Sequence, residues 1–563
     1  MNYSSRFFVE FIKLAGPFWH SENKATIHKL TLGLIVFTIM QIAIAVLLTE
    51  WSANLFNTLD QRSMSGLTKQ IVIIALILVA NVIVTSNHLK MKRQLQIDWR
   101  SWLTQRLIGE WMNNGRHYQI THMEGRHDNP DGRIAEDIRI ATEYAIDLIH
   151  SLFYCLLLIV SFTQILWTLS GHITLKLGSL EFSVYGHLVW LAIIYAAFAS
   201  TLGWVIGRPL TQATDARQTE EANFRFGLVT ARENSIAIAL VRGESTERNR
   251  FLHLFKDIYR AWQRQTRAWS NILMFTSGYS VFSMAFPILI SAPRYIAGFI
   301  SLGALVQSAQ AFQQMAGALS WPVDNMAKVA EWRASVERVL GLVDALDDLE
   351  KKNKDETQQR IRLVKSEESV LGFNQVCIAK LNGEMIIGCI EDQVRQGEHV
   401  LISGNGATAA KLFKAIAGLW PWGKGTIYLP DDEPMYFMPP RPYLPRGTLR
   451  SAICYPYPVS AFNQADLEQA VDAAGLNDLL EQLDHVDQWE KTLSREQMQR
   501  LGLVRLLLVK PKWILVQEAF DSLDPVGEAD MLRLITERLP DASLLTIMNQ
   551  PTADAFHERR LTL

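Results

Sequence analysis

The sequence has few cysteines and almost no net charge, and each shortage excludes a class of protein. Its four cysteines (Cys155, Cys377, Cys389 and Cys454) include no C-x-x-C pair. A zinc site or a disulfide framework is therefore not expected, and the thiols are predicted to be reduced and buried. The net charge of −2 gives no reason to expect a nucleic-acid partner. The amphipathic amino terminus lacks a small-residue cleavage site after a compact apolar core, so no signal peptide is predicted.

Long apolar runs dominate the first part of the chain. The run at 30–49 is long enough to cross a bilayer, which takes about 20 residues, and five more follow at 71–86, 151–169, 188–206, 272–292 and 302–321. The alternative for any single run is a buried core helix. The sixth run contains Gln307, Gln310, Gln313 and Gln314, so it is predicted to line a cavity or a helix interface. Polar residues inside the other runs (Gln41, Asn81 and Gln164) either line a substrate path or hydrogen-bond across helices.

Basic residues predict the orientation of these spans. The connections at 87–150 and 207–270 are rich in lysine and arginine, whereas 50–70, 170–187 and 293–301 hold only Arg62, Lys69, Lys176 and Arg294. The positive-inside bias therefore places the amino terminus and both long connections in the cytoplasm. Residues 172–187 alternate apolar and polar side chains around Gly178 and predict an external hairpin.

The remainder of the chain has the pattern of a soluble α/β domain. Short β-rich runs at 369–376, 399–402, 513–516 and 544–547 alternate with helical segments. The charged stretch that precedes them predicts a linker at 341–360. We therefore expect a transmembrane domain over 1–340 and an α/β domain over 361–563.

One strand–turn–helix segment at 400–422 has the setting of a phosphate-binding P-loop but not its residues. The pattern G-x-x-x-x-G-K-[ST] needs glycines and a lysine at fixed positions, because backbone N–H groups and the ammonium must reach the phosphates. Counting from Gly404, the second glycine position is Ala409 and the lysine position is Ala410, one residue before Lys411. Counting back from Lys411, the glycine positions are Asn405 and Ala410, although Gly406 lies in the same turn. Neither register fits, and a one-residue slip turns Lys411 by about 100°.

Six spans followed by an α/β P-loop domain resemble an ABC half-transporter, a helical transmembrane domain of the ABC exporter type fused to a nucleotide-binding domain. Within that class, the chain resembles the SbmA/BacA-like and YddA-like group, which is related to the peroxisomal fatty-acyl ABC transporters. The motifs that carry this resemblance are WRSWLTQRLIGEWM (99–112), NPDGRIAEDI (129–138), FRFGLVTARENS (224–235), LSWPVDN (319–325), AEWRASVERV (330–339) and AIAGLWPWGKGTI (415–427). Where relatives read N-A-E in the second long connection, this chain has Asn234, Ser235 and Ile236.

The resemblance assigns roles to further residues and shows where the chain departs from the pattern. In the signature segment Ser494 is retained, but Glu496 takes a glycine position beside the partner's γ-phosphate. In the Walker B strand Gln517 replaces the metal-binding aspartate, whereas Glu518 keeps the place of the general base or is a leftover framework carboxylate. Pro440 stands at the Q-loop glutamine and Asn549 at the switch histidine, while the D-loop DSLD (521–524) survives. A Mg²⁺ ion is expected only together with a bound nucleotide.

The resemblance implies a bacterial inner-membrane transporter half that moves peptides or other bulky amphiphilic molecules. ATP and Mg²⁺ remain the family's cofactors, but phosphoryl transfer depends on positioning and charge neutralisation together. We therefore expect ATP hydrolysis to be impaired or absent. One chain supplies one half, so a homodimer is expected. Three alternatives stay open: an ordinary ATP-driven transporter, a pseudo-ATPase driven by the proton gradient or by an active partner chain, and a non-transporting membrane protein with a docking domain.

Overall fold

The structure is a computed structural model that describes residues 3–123, 129–177, 180–354, 360–380, 383–404, 406–430, 435–547 and 555–563. The chain divides into two compact units. The helical unit comprises Met1–Ile108 and Asn129–Val343, and the α/β unit comprises Gly109–Asp128 and Asp344–Leu563. A piece of the first long connection therefore groups with the α/β unit.

Helices are numbered along the whole chain. They are α1 (Tyr3–Ala15), α2 (Lys24–Asp60), α3 (Met64–Met112), α4 (Arg116–Gln119), α5 (Pro130–Gly132), α6 (Ile138–Ser170), α7 (His187–Glu233), α8 (Ser235–Leu240), α9 (Glu244–Ile296), α10 (Leu302–Leu319), α11 (Trp321–Asp324), α12 (Met326–Lys354), α13 (Gly406–Ile416), α14 (Leu449–Cys454), α15 (Gln464–Ala473), α16 (Trp489–Thr492), α17 (Arg495–Val509) and α18 (Pro525–Arg538). Short 3₁₀ segments cover Gly16–His20, Asn113–Gly115, Ile120–His122, Val459–Ala461 and Asn477–Gln482, and a π-turn covers Arg133–Asp137.

The strands are numbered in the same way. They are β1 (His172–Leu177), β2 (Leu180–Tyr185), β3 (Arg362–Ser366), β4 (Val370–Ala379), β5 (Met385–Arg395), β6 (His399–Ser403), β7 (Gly423–Pro430), β8 (Met435–Met438), β9 (Gly447–Thr448), β10 (Val486–Asp487), β11 (Trp513–Gln517), β12 (Ser543–Ile547) and β13 (Arg559–Thr562).

Long apolar helices form the helical unit. Among the described residues, five are long and apolar enough to cross a membrane: Lys24–Asp60, Met64–His122, Pro130–Ser170, His187–Glu233 and Glu244–Ile296. Each contains one of the first five predicted runs. Pro287 lies inside α9, as expected for a helix whose neighbours re-satisfy the freed backbone groups. The sixth run forms α10, whose glutamines keep it outside this set.

Helix α10 is central to the helical unit, which explains how so polar a helix is accommodated. It packs against α2, α6, α7 and α9, and Phe312 is fully buried on it. A Cβ at Gly303 would lie 2.1 Å from the carbonyl oxygen of Ala53, so only glycine permits this approach to α2. The Gly303 N–H donates to Oδ1 of Asn57 at 2.8 Å.

The predicted hairpin between the third and fourth runs is confirmed. Strands β1 and β2 pair in antiparallel fashion from His172 opposite Tyr185 to Leu177 opposite Leu180. The predicted turn residue Gly178 lies outside the described residues.

Among the described residues, the α/β unit contains two larger sheets and one short strand pair. A parallel sheet has the order β13-β6-β12-β11-β8, a second sheet has the order β3-β7-β4-β5, and β9 pairs with β10. The four predicted β-rich runs correspond to β4, β6, β11 and β12. Strands β11 and β12 are buried on both faces, as the continuous apolar runs WILV and LL predict.

Two expectations about local structure are wrong. Helix α12 continues to Lys354 through most of the predicted linker, because Leu342, Leu346 and Leu349 recur at helical spacing and are buried. Cys377 and Cys389 are not reduced thiols: they form a disulfide between the antiparallel strands β4 and β5, with Cα atoms 4.2 Å apart. Pairing of the two strands brings together residues that are distant in sequence.

Candidate functional site

The P-loop segment connects β6 to α13. Gly404 follows β6 with φ 149°, and α13 begins at Gly406. Asn405 lies outside the described residues. Ala409 and Ala410 are buried, with 1% and 6% of their surface exposed, so neither position presents a side chain to a ligand.

Lys411 is directed to an aromatic ring. Its Nζ lies 5.5 Å from the centroid of the Trp420 ring, a cation–π distance. The Trp420 indole is itself fixed, because its Nε1 donates to the carbonyl oxygen of Ala379 at 3.0 Å. The ammonium is thus engaged within the α/β unit at the far end of α13 from the P-loop turn.

The Walker B position lies at the end of β11. Gln517 is the last residue of this strand, opposite Ile547 of β12. Glu518 follows with φ 43°, a left-handed conformation that is strained for a side chain with a Cβ. Its N–H donates to the carbonyl oxygen of Ile547 at 2.9 Å, which holds this turn. Asn549, at the switch position, lies outside the described residues.

The signature segment begins α17 with a capping box. Ser494 Oγ accepts from the Gln497 N–H at 3.1 Å, and Gln497 Oε1 accepts from the Ser494 N–H at 3.0 Å. Glu496 forms an ion pair with Arg500 one turn later, at 3.0 Å. Arg500 also donates to the carbonyl oxygen of Ala474. Ser494 therefore caps the amino terminus of α17, and the Glu496 carboxylate is paired with Arg500 of the same helix.

Gln499 is the residue that connects these motifs, and the sequence interpretation missed it. It is 2% exposed on α17. Its Nε2 donates to the Pro440 carbonyl oxygen at 3.3 Å and to Oδ1 of Asp521, and its Oε1 accepts from the Ser522 N–H at 3.1 Å. The Q-loop position, the signature helix and the D-loop are thus joined through one amide. Its spacing to Gly502 and Leu503 on the inner face of α17 was the available signal.

Buried polar groups fix the same helix from its other side. Arg505 donates to the carbonyl oxygens of Tyr443 and Ala452, and burial lowers the pKa of its guanidinium. Burial also raises the pKa of Tyr436 to about 12, so this phenol stays neutral while it donates to Gly502 O at 3.4 Å. The framework around the motifs is therefore rigid.

The connection segment 109–123 covers an aromatic face of the α/β unit. The His122 ring centroid lies 5.3 Å from that of Trp420 and 6.2 Å from that of Trp422. Lys414 Nζ lies 5.4 Å from the Tyr118 ring centroid. Gln119 is buried and donates through Nε2 to the carbonyl oxygen of Gly418 at 3.0 Å. This segment is thus docked on the turn that follows α13.

Two polar residues predicted for the spans line a cavity in the helical unit. Gln41 and Asn81 lie on the wall of a space of about 460 Å³, together with Thr85, His88 and His150. Gln164 lines a separate groove with Trp167. Gln310 of α10 donates to Ser52 Oγ at 3.0 Å, so this glutamine joins two helices.

Asn234, Ser235 and Ile236 lie at the start of α8, in the second long connection. Helix α8 is exposed: Ile236 is 76% exposed, Leu240 79% and the following Val241 78%. Among the described residues, no group of three or more His, Cys, Asp or Glu side chains is placed to hold a metal ion.

Comparisons with known proteins agree with this architecture. A family model described as ABC transporter transmembrane region 2 matches residues 18–296. The structure of a bacterial Atm1-family ABC exporter with ATP bound has a TM-score of 0.69 at 15% identity and covers 96% of this chain and 94% of its own. The predicted fold class is thereby confirmed: a helical transmembrane domain of the ABC exporter type, followed by an α/β nucleotide-binding domain.

Relatives in sequence extend over nearly the whole chain. The Escherichia coli inner membrane ABC transporter ATP-binding protein YddA is 28% identical over 96% of this chain and 95% of its own length. ABC transporter D family member 2, chloroplastic, from Arabidopsis thaliana is 25% identical over 98% and 86%. The human lysosomal cobalamin transporter ABCD4 is 23% identical over 99% and 94%. The chain is an ABC-type half-transporter, with a membrane region fused to an ATP-binding domain, and it is related to the YddA-like and D-family transporters.

Proposed function

We propose that the chain is half of an SbmA/BacA-like inner-membrane transporter that moves peptides or other bulky amphiphilic molecules and does not hydrolyse ATP at its own nucleotide motifs. The observation that carries the proposal is the position of Lys411, whose ammonium is held over Trp420. Phosphoryl transfer requires a cation on the phosphates and a bound Mg²⁺.

The residues present do not fit ATP and Mg²⁺ in the usual way. Ala409 and Ala410 are buried where a glycine and a lysine, respectively, would be needed. Gln517 offers an amide in place of the metal-binding carboxylate. The Glu496 carboxylate at the start of α17 would repel a γ-phosphate presented by a partner chain. Glu518 alone cannot replace these groups.

The test is nucleotide binding and ATP turnover by the purified, lipid-reconstituted chain. A Glu518→Gln variant removes the one carboxylate left at the general-base position, and Glu537→Gln, an exposed carboxylate on α18, is the matched control. We expect the wild-type chain and both variants to show the same background rate. Turnover that only Glu518→Gln abolishes would overturn the proposal.

The cavity in the helical unit supports transport over the docking-module alternative. Its wall combines the amides of Gln41 and Asn81 with the apolar side chains of Ile44 and Leu48. Such a mixed lining suits an amphiphilic substrate, because both parts of the molecule find partners. Uptake of a fluorescent amphiphilic peptide by vesicles that contain the chain tests this point. Equal uptake by vesicles without the chain would contradict it.

Helix α8 supports assembly with a second half-transporter, and we infer a homodimer. Exposed Ile236, Leu240 and Val241 form an apolar patch between two long helices, and such patches mark protein contacts. Native mass spectrometry of the purified complex should give two copies of this chain, and Ile236→Ser with Leu240→Ser should reduce the dimer fraction. A second, different half-transporter in the complex would instead favour the partner-dependent alternative.

The predicted topology belongs to this proposal. From the basic connections 87–150 and 207–270 we infer that the amino terminus and the α/β unit lie in the bacterial cytoplasm. Without ATP turnover of its own, the transporter needs either an active partner chain or the proton gradient.

A further inference from the structure

A polar stripe follows one face of each of two membrane helices. On α3 it consists of Asn81, Thr85, His88, Lys92 and Gln96, and on α6 of Tyr154, His150, Asp147 and Glu143. Steps of three or four residues place each set on one side of its helix. Ionisable side chains within membrane helices are costly and are functional by default.

The two stripes meet at a pair of histidines. Nε2 of His88 lies 2.8 Å from Nε2 of His150, and the ring centroids are 4.5 Å apart. Nε2 of His150 also lies 3.1 Å from Oγ1 of Thr38, a fully buried residue of α2. The Thr38 hydroxyl donates to the carbonyl oxygen of Leu34 at 2.7 Å. Oγ1 of Thr38 can therefore accept a hydrogen bond from the Nε2–H of His150.

This geometry limits how many protons the pair can hold. Only one proton fits between two Nε2 atoms 2.8 Å apart, because two facing N–H groups would repel each other. In the neutral pair, one ring donates through Nε2–H and has an unprotonated Nδ1. A first added proton binds at that Nδ1 and turns the N–H···N contact into a stronger, charge-assisted hydrogen bond. A second added proton would place a hydrogen on both Nε2 atoms and break the contact.

Charged groups face the pair from three helices. Lys92 lies one turn along α3, Asp147 and Tyr154 flank His150 on α6, and Lys328 reaches the same carboxylate from α12. Asp147 accepts from Lys92 at 3.0 Å through Oδ1 and from Lys328 at 2.7 Å through Oδ2. Helix α2 contributes the uncharged Thr38 and Gln41. The Asp147 carboxylate is thus occupied by the two lysines, and Glu143 forms ion pairs with Arg100 and Arg139. The histidines are the basic groups in the stripe that remain to accept a proton.

Access to the pair is provided by the cavity of about 460 Å³, whose wall includes both histidines. Asn81, Thr85 and Gln41 on the same wall offer hydrogen-bonding groups to water. On the other side of the pair, Gln96 donates to Oδ1 of Asp147 at 2.9 Å and extends the polar contacts along α3.

We propose that His88 and His150 form a proton-binding site in the membrane half, filled from the cavity, in which a first added proton strengthens the contact between α3 and α6 and a second breaks it. The ligand is a proton delivered by water. This inference depends on the proposed function in one respect only, which is the transport process that the bound proton would drive.

The test is a pH titration of histidine Cε1–H resonances in the full chain, reconstituted in lipid nanodiscs and assigned with single substitutions. We expect His88 and His150 to titrate in two coupled steps separated by more than about one pH unit. With His150→Gln, which keeps a hydrogen-bonding group, His88 should titrate in a single step. The control His187→Gln removes a buried histidine that bonds to Ser170 Oγ and should leave both steps unchanged.

A second variant keeps the test informative if His150→Gln fails to assemble. Thr38→Val preserves shape but removes the oxygen that accepts from His150, and it should change the separation of the two steps. Independent single-step titrations of His88 and His150 in the wild-type chain, or no effect of either substitution, would overturn the proposal. The readout needs no nucleotide, substrate or partner chain, so its failure is distinguishable from failure of the proposed function.

Discussion

Charged groups of the nucleotide motifs have near neighbours as partners, whereas the Asp147 cluster of the helical unit has distant ones. Lys411 lies over Trp420, nine positions along the chain, and Glu496 pairs with Arg500 within one turn of the same helix. Asp147, in contrast, takes its two lysines from α3 and α12. A local surface ion pair contributes little to the free energy of unfolding. A cross-helix cluster in an apolar unit has a large desolvation penalty, and removal of one of its charges is strongly destabilising.

This difference separates charged groups that are engaged locally from charged groups that join helices. The nucleotide motifs retain the framework that supports them, with Gln499 and Arg505 buried and hydrogen-bonded, but their charged residues are engaged in nearby contacts. The helical unit contains a row of polar groups along α3 and α6. Burial of such groups in membrane helices costs free energy, which makes them candidates for a functional role.

Removing the Asp147 carboxylate should be the most damaging change. Asp147→Asn leaves Lys92 and Lys328 facing each other, half-buried, and should cost about 3 kcal/mol in local stability. Hydrogen exchange in peptides from α6 and α12 measures this as a rise in exchange rate on the order of 100-fold. Adding Lys328→Met should recover more than half of the loss. An unchanged exchange rate in Asp147→Asn would mean that the cluster is no more important than a surface pair.

Loss of the Gln499 amide should rank second. Gln499→Leu preserves volume but leaves the Ser522 N–H and the Pro440 carbonyl oxygen without this partner, at a cost of about 2 kcal/mol. Hydrogen exchange at the Ser522 amide should increase, whereas Gln469→Leu, at an exposed glutamine of α15, should leave it unchanged. Equal effects of the two substitutions would show that Gln499 does not connect the motifs.

Lys411→Met should have a small structural effect and none on nucleotide affinity. Loss of the cation–π contact with Trp420 is worth about 0.5–1 kcal/mol. Calorimetric titration with ATP should give the same result, including no detectable binding, for the variant and the wild-type chain. A loss of affinity on substitution would show that the ammonium leaves Trp420 to contact phosphate, and the contrast between the two units would then fail.

Glu496→Ala should have the smallest effect, below about 0.5 kcal/mol, because an exposed pair at i and i+4 is worth little. Arg500 keeps its hydrogen bond to the Ala474 carbonyl oxygen. Hydrogen exchange in the first turn of α17 measures the change. A large increase would show that Glu496 has a structural role beyond this ion pair.

Much of the fold could be predicted from the sequence because apolar periodicity is a local signal. The apolar runs at 30–49 and 513–516 each predict one element, a helix and a strand. The alternation of apolar and polar residues at 172–187 predicts the hairpin. The end of α12 could not be predicted in this way. Charged residues dominate 347–354 and obscure the helical spacing of the buried Leu342, Leu346 and Leu349. The disulfide between Cys377 and Cys389 depends on the pairing of β4 with β5, which no spacing rule reveals.

The candidate site was predictable only where chemistry follows a motif. Gly404, Lys411 and Gln517 could be singled out because a fixed pattern assigns a role to each position. Gln499 has no such pattern, and its importance depends on Pro440 and Asp521 folding onto α17. The pairing of His88 with His150 likewise depends on how α3 and α6 cross, although the polar stripe on each helix is visible in the sequence.

The docked segment 109–123 has a practical consequence for taking this protein apart. A fragment cut at the predicted linker would lack His122, Tyr118 and Gln119 and would expose Trp422 and the neighbouring apolar surface to water, so aggregation is the expected outcome. The same cut would leave the Gly418 carbonyl oxygen without its amide donor. Segment 109–123 and the rest of the α/β unit therefore behave as one structural part. A chimera between relatives should exchange both of them or neither.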